Sequence, residues 1–359
     1  MTSSLLAQQE SRIGVLICGH GSRYASAINE FAALVEKIKS FLPGIPVEYG
    51  YLEFAKPIIS EALDRLREQS VERVIAIPAM LFAAGHAKND IPALLKNYSR
   101  ENSLLIDYGR ELGINSLMIG AAGERIKEAI SSHSKFSSSK TLLVVVGRGS
   151  SDPDANSNVT KITRMLVEGL GMGWGETFFS GVTFPLVEPG LRHVISLGYK
   201  RIIVFPYFLF SGVLVNRILE STKIVAAEHP EIEFINAGYL SHQKLVVKTL
   251  IERIEEVLYG NNAMNCALCK YRSDLLGFES EVGAVQESHH HHVEGISEVC
   301  QLSGFDSNSV CEIERINNSM AKDLDKEHMH NHIYPNSDHP LGPVTLRPYN
   351  SDKHKINRK

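Results

Sequence analysis

Short apolar runs recur along the chain at a regular interval and are separated by segments that mix apolar and polar positions. The interval is roughly 30 residues, the length of one strand, one helix and their connections. The runs begin near Ile13, Val47, Val74 and Leu104, and again near Leu142, Thr177, Ile202 and Glu233. This spacing predicts right-handed βαβ units and therefore parallel sheets.

The segments between the runs carry apolar residues at the spacing of an α-helix. Two of them follow the i, i+3, i+4, i+7 pattern of an amphipathic helix, and a third closes the second half and ends at Gly260. The apolar positions are Ile28, Phe31, Ala32 and Val35; Ile59, Ala62, Leu63 and Leu66; and Leu245, Leu250, Ile254 and Leu258.

Four strands in each half predict an α/β protein with two tandem doubly wound domains of the flavodoxin or Rossmann type. Each domain is expected to contain a four-stranded parallel sheet. We assign residues 1–130 to the first domain and 141–260 to the second, with a Ser-rich linker between them. In residues 261–359 the apolar periodicity fades and Asn, Ser, Asp and His dominate, which predicts a tail that is largely disordered or ordered only by metal.

Two motifs are written twice, about 128 residues apart, which indicates an internal duplication. Gly19-His20-Gly21-Ser22 corresponds to Gly147-Arg148-Gly149-Ser150, each directly after an apolar run. Residues 85–91 (GHAKNDI) correspond in the same way to residues 212–218 (GVLVNRI). The shared Gly-X-Gly-Ser predicts a tight strand exit and a helix start that favours an anion, with Ser22 as the cap of the first such helix.

The overall composition argues against several classes of function. A net charge of -4 over 359 residues predicts no nucleic-acid partner. No stretch approaches about 18 consecutive apolar residues, and the first residues lack a signal-peptide pattern, so we expect no membrane partner. Only five cysteines in a chain of this length favour a reducing cytoplasm. The glycine patterns match neither GxGxxG nor Walker A, so neither NAD nor ATP is expected as a cofactor.

Three chemically active side chains follow consecutive predicted strands of the first half: His20, Glu53 and His86. The carboxyl ends of parallel strands meet at one edge of a sheet, so we expect these residues to lie together and to suit proton transfer or a divalent metal. Taken singly, each has a simpler explanation: a capping turn with an incidental histidine, a solvated carboxylate and a loop histidine. A structural zinc site would need four ligands, and only three are evident.

The second half lacks equivalents of both histidines, which predicts one active half and one supporting half. The motifs VLICGHGSR, LFAAGHAKNDIP and VVVGRGSSDPDAN resemble those of the class II chelatases of tetrapyrrole biosynthesis, of the CbiX and SirB type, over about residues 12–260. The resemblance implies ATP-independent insertion of a divalent metal into sirohydrochlorin. Co²⁺, for cobalamin biosynthesis, is the favoured metal; Fe²⁺, for siroheme, and Ni²⁺ are the alternatives.

The resemblance also implies a role for each candidate residue. His20 and His86 would hold the metal and accept pyrrole protons, and Glu53 would assist them. Because the macrocycle is rich in carboxylates, basic and hydroxyl side chains near the duplicated motifs are expected to bind it. These are Ser22, Arg23, Lys88, Arg148, Ser150 and Arg217. On this interpretation Arg148 stands at the position of a metal ligand and binds a carboxylate of the substrate instead. A homodimer is the alternative to a monomer.

Residues 264–272 (MNCALCKYR) and the His-rich stretch after them resemble the long cobaltochelatase form, whose M-x-C-x-x-C motif implies an iron–sulfur centre. Cys266 and Cys269 cannot ligate four irons alone, so Cys300, Cys311, a histidine or a second subunit would complete the site. Zinc or free thiols remain alternatives.

The histidines of the tail suggest metal storage or delivery, although a dispensable solvated tail would explain them too. They are His289, His290, His291 and His292, followed by His328, His330 and His332. A cobalt or nickel buffer is therefore the rival function from another class, and a catalytically silent partner subunit is a third alternative.

Overall fold

The computed structural model describes residues 12–131, 133, 136–260, 262, 264, 269, 271–272 and 279–283. Within these residues, none of the helices has the length and hydropathy needed to cross a membrane. The chain divides into two compact units, and each is built on a four-stranded parallel sheet. The predicted α/β class with two doubly wound sheets is confirmed.

The first unit contains a sheet of strand order β2-β1-β3-β4, the order typical of flavodoxin-like sheets. Its elements are β1 (Ile13–Gly19), α1 (Ala25–Phe41), β2 (Val47–Tyr51), α2 (Ile59–Glu68), β3 (Arg73–Pro78), α3 (Ile91–Asn102) and β4 (Leu105–Tyr108). Alternate residues of β1 point to opposite faces, so Leu16 and Cys18 pack with α2 and α3 in one buried cluster. All four strands begin within one residue of the predicted positions.

The second unit repeats this arrangement. Its elements are α4 (Ser116–Ile130, assigned to this unit from Ile119), β5 (Thr141–Gly147), α5 (Pro153–Leu170), β6 (Trp174–Phe179), α6 (Val187–Ile195), β7 (Arg201–Pro206), α7 (Val213–Glu228) and β8 (Glu233–Asn236). The sheet order is β6-β5-β7-β8, the counterpart of the first sheet. Leu142, Val144 and Val146 of β5 pack with α6 and α7 in the second buried cluster. β6 begins three residues before Thr177, the predicted start.

The compact units and the sequence repeats differ by one helix each. The last helix, α8 (Lys244–Tyr259), closes the second repeat in sequence but belongs to the first unit, where it contacts α1 and β3. Most of α4 closes the first repeat in sequence but belongs to the second unit. The boundaries drawn at residues 130 and 141 therefore divide the repeats, not the compact units.

Polar contacts explain why α8 belongs to the first unit. The guanidinium of Arg253, fully buried, donates to the carbonyls of Glu111 and Leu112 in the loop after β4. Glu256 of α8 accepts two hydrogen bonds from Arg110 of the same loop. A buried guanidinium needs acceptors, and this loop supplies them.

The duplicated turns have matching backbone geometry. Gly21 has φ +99°, and a Cβ built on it would lie 1.6 Å from the carbonyl oxygen of Glu53. Gly149 has φ +87°, and its Cβ would lie 1.8 Å from the carbonyl oxygen of Gly181. Only glycine permits both the left-handed φ and this close approach. The equivalence also places Gly181 where the first repeat has Glu53.

The helix after the first turn begins later than expected from a cap at Ser22. α1 starts at Ala25 with Tyr24 as its N-cap residue, and Ser22 Oγ accepts the backbone N–H of Tyr24 at 3.0 Å. The expectation that Ser22 caps the helix is therefore wrong, because its hydroxyl closes a short turn before the first helical residue. In the second repeat, Ser150 makes the same turn to Asp152, and Asp152 is the N-cap residue of α5.

Candidate metal-binding site

The carboxyl edge of the first sheet brings the three predicted residues together. His20 follows β1 in the middle of the sheet, Glu53 follows β2 on one side, and His86 lies in the segment after β3 on the other side. The backbone N–H of Glu53 donates to the carbonyl of His20 at 3.0 Å, which ties the ends of β1 and β2 to each other. The order of the strands thus brings three residues that are far apart in sequence close together in space.

The side chains of this trio could share one ion. Nε2 of His20 lies 3.1 Å from Oε1 of Glu53, and the rings of His20 and His86 meet edge to face with centroids 4.7 Å apart. One candidate ligand atom from each of the three residues lies within 4.8 Å of the other two. Two imidazole nitrogens and one carboxylate oxygen are a donor set suited to cobalt, iron, nickel or zinc.

Burial of the carboxylate strengthens this interpretation. Glu53 is 4% exposed, whereas His20 and His86 are half-buried. Charged carboxylates are rarely buried without a cation, a proton or several donors to balance the charge. An arrangement that exposes one side of two imidazoles and buries the carboxylate beside them is suited to a divalent cation that enters from solvent.

The structure adds a fourth residue that sequence reasoning missed. Nδ1 of His86 lies 2.7 Å from Oδ2 of Asp90, and Asp90 is 1% exposed. The signal was present in the quoted motif, because positions i and i+4 share a face of a helix. Residues His86–Asp90 form a single π-helical turn at the start of α3, a feature often found at functional sites.

Arg23 extends the exposed side of this site. Its guanidinium carbon lies 5.0 Å from the centre of the Phe54 ring, and that ring lies 6.1 Å from the ring of His20. Arg23 is exposed, and Ser22 is partly exposed beside it. A cation stacked on an aromatic ring next to the trio can meet an anionic ligand without leaving its position.

Lys88 does not share this exposure. Its side chain is 4% exposed, and it interacts with the charge of Glu111 in the loop after β4. Burial raises the pKa of Glu111, while the cations Arg110, Arg253 and Lys88 oppose the shift. Oε2 of Glu111 is buried and has no hydrogen-bond partner among the described residues. Lys88 is thus buried within the first unit, and its contact with a substrate carboxylate stays a prediction.

The second unit keeps the frame of the site without its ligands. Arg148 and Arg217 are exposed, and Ser150 is partly exposed. Ser180 links the two arginines, because its hydroxyl donates to the carbonyl of Arg148 and its own carbonyl accepts from the Arg217 guanidinium, each at 3.4 Å. The second unit therefore has the guanidinium of Arg148 where the first has the imidazole of His20.

Only part of the predicted tail site falls within the described residues. Cys269 is 1% exposed, and its sulfur accepts a hydrogen bond from the guanidinium of Arg272 at 3.1 Å. The side-chain amide of Asn262 donates a hydrogen bond to the carbonyl of Tyr108 at the end of β4 and accepts one from the backbone N–H of Arg110 in the loop that follows. The other predicted tail ligands lie outside the described residues: Cys266, Cys300, Cys311, His289, His290, His291, His292, His328, His330 and His332.

Comparison with known proteins gives matches over both repeats. The CbiX family profile matches residues 14–129 and again residues 142–257. The sirohydrochlorin cobaltochelatase of Priestia megaterium is 37% identical over 267 residues, which cover 73% of this chain and 85% of the relative. The sirohydrochlorin ferrochelatase of the same organism is 30% identical over 261 residues, 72% of this chain and 95% of the relative.

The solved structure of SirB from Bacillus subtilis with Fe³⁺ has the same fold. It superposes with a TM-score of 0.61 at 27% identity and covers 70% of this chain and 97% of SirB. Both repeats of the chain therefore have counterparts in relatives whose names specify metal insertion into one tetrapyrrole.

Proposed function

The chain belongs to the CbiX family of class II chelatases, and from this premise we propose its reaction. It inserts a divalent metal ion into sirohydrochlorin, and the favoured metal is Co²⁺, as in cobalamin biosynthesis. The observation that carries the proposal is the trio His20, Glu53 and His86, whose ligand atoms converge within 4.8 Å at the edge of the first sheet.

The chemistry of insertion fits this trio. A divalent metal enters the macrocycle as two pyrrole N–H protons leave, so the charge on the macrocycle is unchanged and the site must accept two protons. Neutral imidazole nitrogens of His20 and His86 can hold the ion first and take up protons as it departs. Glu53, buried beside His20, can accept a proton or balance the charge of the ion. The reaction needs no phosphate transfer, and the proposal includes no ATP.

The choice of metal rests on the relatives and not on the ligand set. Imidazole and carboxylate donors bind Co²⁺, Fe²⁺ and Ni²⁺ alike. Cobalt is favoured because the cobaltochelatase shares 37% identity with this chain and the ferrochelatase 30%. Fe²⁺ insertion, the step that produces siroheme, is the second candidate reaction.

Exposed cations and hydroxyls of the two units support binding of the carboxylates of sirohydrochlorin. We include Arg23 and Ser22 in the first unit and Arg148, Ser150 and Arg217 in the second. Guanidinium groups bind carboxylates in two parallel hydrogen bonds, which suits a substrate with several acidic side chains. The buried Lys88 is not among these proposed contacts.

The tail motif supports a further proposal, an iron–sulfur centre that includes Cys266 and Cys269. Within the described residues, the sulfur of Cys269 is buried and accepts a hydrogen bond from the guanidinium of Arg272, so one of the two motif cysteines lies beside a cation. Iron and acid-labile sulfide should be present in anaerobically purified protein and absent from Cys269→Ser. We also propose a cytoplasmic location, because such a centre and Co²⁺ or Fe²⁺ handling suit reducing conditions.

An anaerobic insertion assay tests the proposed function. Purified protein, sirohydrochlorin and Co²⁺, Fe²⁺ or Ni²⁺, without ATP, should give the metal-dependent change in the absorption spectrum of the macrocycle, fastest with Co²⁺. A chain that ends at Asn262 separates the enzyme from a metal buffer that works through its tail. The enzyme proposal predicts that insertion survives the truncation. A full chain that binds metal but does not accelerate insertion would contradict the proposal.

A further inference from the structure

We infer that Asp90 positions the imidazole of His86 for the metal, and this inference rests on the proposed function. The two residues form a hydrogen-bonded pair in which Nδ1 of His86 lies 2.7 Å from Oδ2 of Asp90. An ionised carboxylate can only accept hydrogen bonds, so the proton of the neutral ring sits on Nδ1. Nε2 is then left with its lone pair for the metal ion.

The surroundings of the pair favour a fixed orientation. Asp90 is almost fully buried, and its other oxygen, Oδ1, accepts from the side-chain amide of Asn89 at 3.3 Å. The His86 side chain is 16% exposed, so one edge of the ring reaches the site while the other is held inside. Outer carboxylates of this kind fix the tautomer and rotation of histidine ligands at metal sites.

The carboxylate of Asp90 does not cap the helix that follows it. Asp90 directly precedes α3, but its backbone is already helical and its side chain makes no capping hydrogen bond. The π-helical turn His86–Asp90 is closed by the N–H of Ile91, which donates to the carbonyl of His86. Asp90 thus lies inside a continuous helical segment, and its carboxylate contacts the side chains of His86 and Asn89.

The internal duplication provides an independent observation. In the second repeat, Val213 stands in place of His86 and Arg217 stands in place of Asp90. The π-helical turn is replaced there by ordinary helical geometry, in which Asn216 donates to the carbonyl of Gly212. The histidine, its carboxylate and the special turn are thus changed together, as expected if they serve one function.

The first arm of the test measures the tautomer of His86 directly. Full-length protein labelled with ¹⁵N-histidine is studied by NMR without added metal, and His86→Gln identifies the signal. We expect the Nδ1–H form in the wild type and a shift toward the Nε2–H form in Asp90→Ala. An Nε2–H form in the wild type, or the same tautomer in both proteins, would overturn the inference whatever reaction the protein catalyses.

The second arm separates metal use from substrate use. In anaerobic insertion assays, Asp90→Ala should raise the apparent KM for Co²⁺ about tenfold to hundredfold and change the KM for sirohydrochlorin less than about twofold. Asp90→Asn should raise the KM for Co²⁺ less than Asp90→Ala does, because its amide oxygen can still accept a hydrogen bond from Nδ1 of His86. Asp107→Asn, which removes a carboxylate paired with Arg73 elsewhere in the first unit, is the matched control and should change neither constant.

The two arms keep the inference separate from the proposed function. If the wild type shows the Nδ1–H form of His86 but inserts no metal, the proposed function is contradicted and the pairing of Asp90 with His86 still stands. If the wild type inserts Co²⁺ and the Asp90 variants have the same KM for Co²⁺, only the inference about Asp90 is contradicted. Equal losses in both KM values together with a lower melting temperature would show a general structural role and also contradict the inference.

Discussion

Gly21 allows the chain to turn directly beside the carbonyl of Glu53, and this contact positions two members of the trio at once. Any side chain at Gly21 would collide with that carbonyl at a positive φ. The turn after β1 therefore does more than lead into a helix. It sets the distance between the end of β1 and the carboxylate that follows β2.

Gly21→Ala should destabilise the fold and the metal site, and Gly149→Ala is its matched control. Both changes impose strain of at least about 1–3 kcal/mol, because each glycine has a left-handed φ and faces a carbonyl oxygen. Urea unfolding should show similar losses for the two variants. Only Gly21→Ala should also raise the KM for Co²⁺ in the fraction that remains folded. Equal effects on this KM would show that the two turns contribute equally to metal binding.

Glu111 gives a prediction for stability against pH. Its pKa is raised by burial, so the neutral acid is favoured in the folded protein. The contribution of this group to the free energy of unfolding is present at low pH and is lost as the pH rises through the raised value. Glu111→Gln, which stays neutral, should gain stability relative to the wild type as the pH increases from about 4 to about 8.

Urea unfolding of both proteins across this range measures the difference. Glu36→Gln, at an exposed position of α1, is the control and should show no such trend. A variant that loses stability relative to the wild type at high pH would show that the cations around Glu111 outweigh its burial.

At the scale of elements, the exchange of α4 and α8 makes each compact unit depend on a helix from the other repeat. The interior of the first unit includes Val246, Leu250 and Ile254 of α8, all buried. The buried Arg253 also holds the loop after β4. A chain cut at the end of the first repeat would therefore lose the helix that covers β3.

Two truncations test this dependence. A chain ending at Asn262 should keep cooperative unfolding and insertion activity, because it retains α8 and the contacts of Asn262 with Tyr108 and Arg110. A chain ending at Gln243 lacks α8 and should lose soluble expression or unfold without cooperativity. Circular dichroism and urea unfolding measure the outcome. Cooperative folding of the shorter chain would contradict the assignment of α8 to the first unit.

The sequence pattern predicted elements better than it predicted which elements pack together. Periodicity identified α8 from its apolar positions and its end at Gly260. It could not tell which sheet the helix covers, because an amphipathic face fits either of two similar sheets. Polar groups decide the packing: Arg253 donates hydrogen bonds to carbonyls in the loop after β4, and no local sequence pattern predicts this contact.

The same limit applied to the site. His20, Glu53 and His86 could be predicted, because the rule for parallel sheets places residues after strands at one edge. Asp90 was missed because its role depends on a π-helical turn, which local propensity does not specify. The burial of Lys88 could not be predicted either, since its proximity to His86 in the motif does not indicate how exposed its side chain is.

At the scale of the whole molecule, duplication has produced two sheets with different chemistry at equivalent positions. His20, Glu53 and His86 correspond to Arg148, Gly181 and Val213. The second unit has none of the three side chains of the trio and carries an exposed cation, Arg148, in place of His20. This supports a division in which one repeat handles the metal and the other contributes to substrate binding.

Arg148→Ala tests this division. The variant should raise the KM for sirohydrochlorin about tenfold, because a guanidinium–carboxylate contact is lost, and leave the KM for Co²⁺ nearly unchanged. Arg164→Ala, on the exposed side of α5, is the matched control. An unchanged KM for sirohydrochlorin in Arg148→Ala would show that the second repeat supports the fold without contacting substrate through this residue.

The central claim is that His20 and His86 carry metal insertion, and anaerobic insertion kinetics of alanine variants test it most directly. His20→Ala and His86→Ala should each lower kcat/KM for Co²⁺ insertion into sirohydrochlorin by about a hundredfold or more, since each removes a metal ligand and a proton acceptor. His193→Ala, an exposed histidine of α6, should match the wild type. If both His20→Ala and His86→Ala retained full activity, the site would be wrongly assigned.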